Sequence, residues 1–248
     1  MRNIKLVLEY DGAAYFGFQR QPSQPTIQAA LEKALSRLLN HSTRITAASG
    51  RTDTGVHAAG QVVNFKTASS MEPDALRRGL NALLPRDIAV REAEDVPAAF
   101  HARFQARRKT YEYSIWNDPV RSPLHAARTY YVPFPLKVSK MRAAAKKLQG
   151  CHDFRSFCAA DPSGKRRENT VRTLSRFEVR KQGSLIRILV EGDGFLYKMV
   201  RNLAGTLVEA GAGRLTLGEL GGVLKVRDRR RAAKTAPAHA LTLLRVDY

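Results

Sequence analysis

The strongest constraint on the fold is the order in which hydrophobic periodicities follow one another through the first part of the chain. Ile4 to Tyr10 is rich in β-formers and stops at the turn pair Asp11-Gly12, so it reads as a strand. Beyond the loop Arg20 to Pro25, the residues Ile27, Ala30, Leu31, Ala34, Leu35 and Leu38 recur at helical spacing behind Thr26, a residue suited to an N-cap. Strand patterns follow around Ile45 to Ser49 and Gln61 to Lys66. Next comes a second helix, with Pro73 near its start, Leu76, Leu80 and Leu83 on one face and Pro85 beyond its end, and then a strand at Ile88 to Arg91. The order β-α-β-β-α-β is that of a split βαβ, ferredoxin-like unit, in which an antiparallel sheet carries its helices on one face.

The second part repeats this order loosely. Thr110 to Trp116 reads as a strand; Met141, Ala144, Ala145 and Leu148 mark a helix stopped by Gly150; Val171 to Arg180 and Leu185 to Glu191 alternate as strands. Met199, Val200, Leu203, Leu207 and Val208 predict a helix up to Gly211, Leu217, Leu220 and Leu224 another, and Leu241 to Asp247 a last strand. The expected fold class is α/β of the α+β kind. It has an N-terminal half over residues 1–105 and a C-terminal half over 106–248, with a basic cleft between them as the natural ligand site.

Charge narrows the partners. The 248 residues hold 42 Lys and Arg against 22 Asp and Glu, a net charge of +20. An excess of that size suits a polyanion, because each phosphate neutralised by Lys or Arg releases condensed counterions. Arg107-Arg108-Lys109, Lys165-Arg166-Arg167 and Arg227 with Arg229-Arg230-Arg231 are the candidate phosphate contacts. With 44% hydrophobic residues, wholesale disorder is excluded. No apolar run approaches the roughly 18 residues of a membrane span. Met1-Arg2-Asn3-Ile4-Lys5 leads into a strand rather than a signal-peptide core, so a cytoplasmic protein without membrane contact is expected. Cys151 and Cys158 are too few for a disulfide scaffold and lack the spacing of zinc knuckles.

Between the two middle strands of the first half lies Gly50-Arg51-Thr52-Asp53-Thr54-Gly55-Val56-His57. Its glycines permit sharp turns and close approach of another chain, and the loop lifts Asp53 off the rigid strands to where a substrate can meet it. Ordinary turn chemistry explains the same residues equally well, since Asp favours turns. His57 reads as a packed, hydrogen-bonded residue rather than a ligand, and Cys151-His152-Asp153 has no second cluster to complete a metal site.

Extended by Ala58, the loop resembles the signature loop of the tRNA pseudouridine synthase A family. The resemblance continues in order through Tyr10-Asp11-Gly12 with Tyr15 to Gln21, through Phe100-His101-Ala102-Arg103-Phe104, and through Arg108-Lys109-Thr110-Tyr111-Glu112-Tyr113. Asp153 to Phe157, Phe195 to Asn202 and Leu241 to Tyr248 complete it. It implies a pseudouridine synthase fold of two RNP-like halves and a cofactor-free isomerase. Such an enzyme breaks the bond from ribose to uracil N1 and joins the same ribose carbon to C5, at nucleotides 38, 39 and 40 of the tRNA anticodon stem-loop. It further implies a homodimer.

The resemblance also implies roles. Asp53 is the catalytic carboxylate, attacking ribose C1′ or pyrimidine C6 or assisting a glycal route. With an ordinary pKa of about 3.9 it is ionised at neutral pH and needs positioning rather than an activating base. Arg201 is its counterion. Tyr111 stacks on the uracil, its hydroxyl serving the C5 proton, while Tyr113 is read as a half-buried tyrosine on the opposite sheet face. Arg51 fills the gap left by the flipped nucleotide or holds a phosphate, and Leu241 lines the base pocket. The sequence departs from the family pattern at Phe18, where a Trp is common, at Tyr197-Lys198, which replace a His pair, and at Ala240, where a Gly is usual. Two other classes fit parts of the sequence: a non-catalytic RNA-binding or RNA-folding protein, and a metal-dependent nuclease using Asp53 and His57, which would need a second acidic cluster.

Overall fold

The computed structural model describes residues 1–160 and 169–248. They form two units, one of Met1–Arg107 with Thr242–Tyr248, the other of Arg108–Leu241.

The first unit runs β1 (Arg2–Tyr10), α1 (Ile27–Leu38), β2 (Ile45–Ala48), β3 (His57–Thr67), α2 (Pro73–Leu83) and β4 (Ile88–Val96). Its strands lie in the order β4-β1-β3-β2, every neighbour antiparallel, as a split βαβ unit requires. Strand alternation puts Ile4, Leu6, Leu8 and Tyr10 on the buried face of β1; together with Leu31 and Leu35 of α1 and Leu76 and Leu80 of α2 they build the core. Thr26 caps α1, its hydroxyl accepting the Ala29 amide at 3.3 Å, and Pro73 opens α2, where a missing N–H costs nothing.

β3 begins at His57, earlier than the pattern from Gln61 suggests, because a further strand joins it there. β2 covers one edge of β3 only from Val63 to Phe65. The C-terminal strand β10 (Leu241–Asp247) takes up the remaining stretch in parallel, pairing Thr242 with His57 and Leu243 with Ala58. Gly60 permits this approach, since a Cβ there would stand 2.5 Å from the Leu244 carbonyl oxygen. The last residues thus group with the first unit, not with the half over 106–248 to which their position in the chain assigns them.

The second unit contains β5 (Arg108–Asn117), β6 (Tyr130–Val132), α3 (Val138–Leu148), β7 (Gly150–Asp153), β8 (Val171–Gln182), β9 (Leu185–Gly192), α4 (Met199–Gly211) and α5 (Leu217–Val226). The antiparallel order β5-β9-β8 reproduces β1-β3-β2 of the first unit. β7 extends it beyond β8, and β6 pairs in parallel with β5. These two additions have 3 and 4 residues, too short for alternation to register in the sequence. Tyr111, Tyr113 and Ile115 are all buried on β5; being two apart they share a face, so Tyr113 is not opposite Tyr111 as expected. Helices α3 and α4 pack against each other; α3 buries Met141, Ala144 and Leu148, and α4 buries Met199, Leu203 and Leu207. Among the described residues, no helix is long and apolar enough to cross a membrane.

Candidate active site

Asp53 sits half-buried on the loop from Ser49 to Val56, and the first unit grips the peptides around it from several directions. The Tyr10 and Thr52 hydroxyls share a buried hydrogen bond of 2.8 Å. Gln61, fully buried on β3, donates to the Gly50 carbonyl at 2.9 Å while its own oxygen accepts from Ser49 Oγ at 2.5 Å. The Phe18 amide donates to the Thr52 carbonyl at 3.1 Å and the Gly55 amide to that of Tyr15 at 3.3 Å. A tight turn follows Asp53, whose carbonyl accepts the Val56 amide at 3.1 Å; Gly55 occupies the position that needs a positive φ, here 77°. Gly12 lies so close that a Cβ there would run into the Val56 carbonyl. The stretches Tyr10 to Gly12 and Tyr15 to Phe18 therefore form the wall against which the Asp53 loop is built.

His57 is 1% exposed and takes the Gly12 amide on Nδ1 at 3.1 Å, with the Asp11 carboxylate 3.0 Å from the same nitrogen. That is the packed arrangement its neighbours in sequence suggest. Burial pushes the Tyr10 phenol above its ordinary range, against the pull of its Thr52 and Gln61 hydrogen bonds, so Tyr10 serves as an uncharged strut. Arg51 is exposed beside this framework.

The second unit positions its candidates differently. Arg201 stands in the first turn of α4, and its Nε donates to the Ala236 carbonyl at 2.8 Å while the Ala236 amide donates back to the Arg201 carbonyl at 3.2 Å. Residues 235–241 thus form a strap along α4. Leu241, 5% exposed, follows the 3-10 turn Ala238–Ala240 at the end of that strap. Tyr113 joins strap to sheet, its hydroxyl donating to the Pro237 carbonyl at 3.0 Å; burial raises its phenol pKa, partly offset by the Arg201 charge. On the same face of β5, Tyr111 meets Phe195 edge to face with centroids 5.1 Å apart.

The basic cluster after α5 splits by role. Arg229, a candidate phosphate contact by sequence, is turned inward: it donates to the Ala232 carbonyl at 3.2 Å, Asn202 Oδ1 at 2.9 Å and Thr235 Oγ1 at 3.0 Å. All three acceptors are neutral, burial lowers its pKa, and its work is to hold the strap. Arg227 pairs with Asp153 at 2.9 Å and Arg230 with Asp228 at 2.7 Å, while Arg231 is exposed. Lys165-Arg166-Arg167 lies outside the described residues. Lys198 precedes α4 in the left-handed region at φ 56°, its ammonium 5.0 Å from the centre of the Tyr197 ring. Among the described residues, no group of three or more His, Cys, Asp or Glu is placed to hold a metal ion.

The structure places Arg51 and Asp53 on a loop, Tyr111 on β5 and Arg201 on α4, the elements that the sequence patterns predict for them. Those patterns leave out the supports: Tyr10, Gln61 and Ser49 behind the loop, and Ala236, Asn202 and Arg229 around the strap. A polar residue inside an apolar strand pattern, as Gln61 is, was the available signal for the first set.

Comparison with known proteins agrees along the chain. The sequence pattern of a family described as tRNA pseudouridine synthase matches residues 6–105 and 144–248. A protein named tRNA pseudouridine synthase A from Acetivibrio thermocellus is 41% identical over 248 residues, covering 100% of both chains. One of the same name from Brevibacillus brevis is 45% identical over 248 residues, again covering 100% of both. A third, from Citrifermentans bemidjiense, is 44% identical over 249 residues, covering 100% of this chain and 98% of that one. On this evidence the chain belongs to the tRNA pseudouridine synthase family.

Proposed function

We propose that the protein isomerises uridine to pseudouridine in tRNA, at nucleotides 38, 39 and 40 of the anticodon stem-loop, as a cytoplasmic homodimer. The observation that carries this reading is the Asp53 loop: the residues that resemble the family's signature are held by Gln61 at the Gly50 carbonyl, by the Phe18 amide at the Thr52 carbonyl and by Tyr10 at the Thr52 hydroxyl, with Gly12 close against Val56. A carboxylate whose backbone is fixed in this way meets the central demand of the reaction, a nucleophile held in place while a bulky nucleotide is brought to it.

In this reading Asp53 opens the reaction at the target uridine. The N1 to C1′ bond breaks, the uracil turns, C5 bonds to C1′, and the C5 proton leaves while N1 gains one, so product and substrate are isomers. Tyr111 stacks on the uracil, recovering part of the stacking lost when the base leaves its stem. Arg201 balances the Asp53 charge, Leu241 closes the apolar side of the base, and Arg51 fills the vacated stack or holds a phosphate.

The test is tritium release from C5-labelled uridine in tRNA transcripts, without added metal or cofactor, comparing the protein with Asp53→Asn. Release by the parent alone, with pseudouridine mapped to the anticodon stem-loop, is the expected result. Binding of tRNA by both with release by neither would replace this reading with that of a non-catalytic RNA-binding protein.

A further inference from the structure

Phe104 in the first unit is 77% exposed, an unfavourable place for a large apolar ring unless something covers it in use. It is not loosely held. Its ring lies against that of His101 with centroids 4.3 Å apart and planes inclined by 27°. The imidazole is fixed in turn, because its Nδ1 accepts the amides of Arg103 at 3.2 Å and Phe104 at 3.3 Å. Between them, Ala102 is fully buried and its peptide groups are taken up by side chains: its N–H donates to Asn64 Oδ1 at 3.0 Å and its carbonyl accepts the Tyr248 hydroxyl at 2.7 Å. Asn64 and Tyr248 belong to β3 and the chain end, so the turn is bolted to the sheet of its own unit.

We infer that Phe104, backed by His101, is a stacking platform for an unpaired nucleobase of the bound RNA, separate from the uridine that reacts. Three observations carry this. The ring is largely exposed and already ordered by its contact with His101, so stacking costs little side-chain entropy once the Arg103 guanidinium over the ring moves to a phosphate. The Arg103 guanidinium stands 5.7 Å from the ring centroid, and Arg107 is exposed four residues on, so cations suited to the flanking phosphates adjoin it. The chain's +20 charge favours a polyanion over an ordinary protein surface as the occupant. Aromatic faces accept any base, so the platform adds affinity without choosing sequence. The inference rests on RNA being the substrate, as proposed above, but not on the role of Asp53.

Full-length protein carrying Phe104→Ala, Phe104→Leu or Phe104→Trp is compared with the parent by filter binding to a tRNA transcript across a salt series. The Ala and Leu variants are expected to raise Kd roughly ten-fold and the Trp variant to restore it, base-on-ring stacking being what was removed. The slope of log Kd against log salt stays unchanged, because no phosphate contact is lost. Isomerisation at saturating tRNA also stays unchanged. Parent-like Kd in the Leu variant overturns the inference. So does a fall in sedimenting mass for that variant, which would make a second copy of the chain the occupant. Should the Ala variant fail to fold, the Leu and Trp pair decides. Because Kd is read directly, the platform is tested even where the parent forms no pseudouridine.

Discussion

The two units hold their candidate residues in opposite ways. Around Asp53, the chain of the loop is gripped from behind: Gln61 donates to the Gly50 carbonyl, the Phe18 amide donates to the Thr52 carbonyl, and the Tyr10 hydroxyl shares a hydrogen bond with that of Thr52. At Arg201, backbone grips side chain: the Ala236 carbonyl takes Nε directly. Chemistry explains the asymmetry. A carboxylate has only acceptor sites, and the proposed reaction needs them for the substrate, so its position is best fixed through the chain that carries it. A guanidinium has five donors in a rigid plane, and spending one on orientation leaves the rest of the fork aimed.

This contrast can be broken from either side. The largest effect is expected for Arg201→Lys, which keeps the charge but loses the planar Nε anchor. Turnover should fall by about 100-fold, the scale of a misplaced catalytic group, with melting changed by less than about 1 kcal/mol. A fall in stability comparable to the fall in rate would make Arg201 a structural residue. Tyr10→Phe should act less on rate and more on stability, leaving Thr52 without its buried partner at a cost of about 1 to 3 kcal/mol, with a several-fold lower kcat and KM for tRNA unchanged. Unchanged kcat would show that the loop does not depend on its buried support.

The smallest effect concerns the outer brace of the same unit. Glu32 of α1 has a side chain 3% exposed and ties Arg20 at 2.5 Å, Arg44 at 3.1 Å and the Ile45 amide at 3.1 Å to one carboxylate. Burial pushes its pKa up, but the hydrogen bonds from Gln28, Arg20, Ile45 and Arg44 outweigh it and hold the value below the ordinary 4.5. A depressed pKa means that the unfolded chain takes the proton first. The contribution is therefore complete above pH 4.5 and is lost as the pH falls through the lower folded value. Urea melts from pH 6 down to pH 3 should lose stability over that range, and Glu32→Gln should flatten the loss.

How much of this was legible in the sequence depended on the range of the interaction. Local signals served well: Thr26 and Pro73 marked helix starts, and alternation marked β1, β8 and β9. β6 and β7 failed because neither is long enough to show a period, and the start of β3 failed because its partner there lies at the far end of the chain. The site divided along the same line. Asp53 stood out through its flanking glycines, whereas Arg201 and Leu241 looked like ordinary residues of a helix and a strand, and only family resemblance set them apart. Their dependence on one strap turns on Ala236 and Arg229, and an alanine that contributes only its carbonyl leaves no mark in the sequence.

The parallel pairing of β10 with β3 bears on how the protein is made. During synthesis the ribosome delivers β1 to β4 early, yet the register beside His57 and Ala58, the Tyr248 bond to Ala102 and the Asp247 carbonyl that accepts the Arg107 amide at 2.8 Å all wait for the final residues. Such distant contacts are slow to close. Until β10 is made, the nascent first unit therefore keeps part of the β3 edge unpaired, and the turn that carries Phe104 has its Asn64 bond but not its Tyr248 bond.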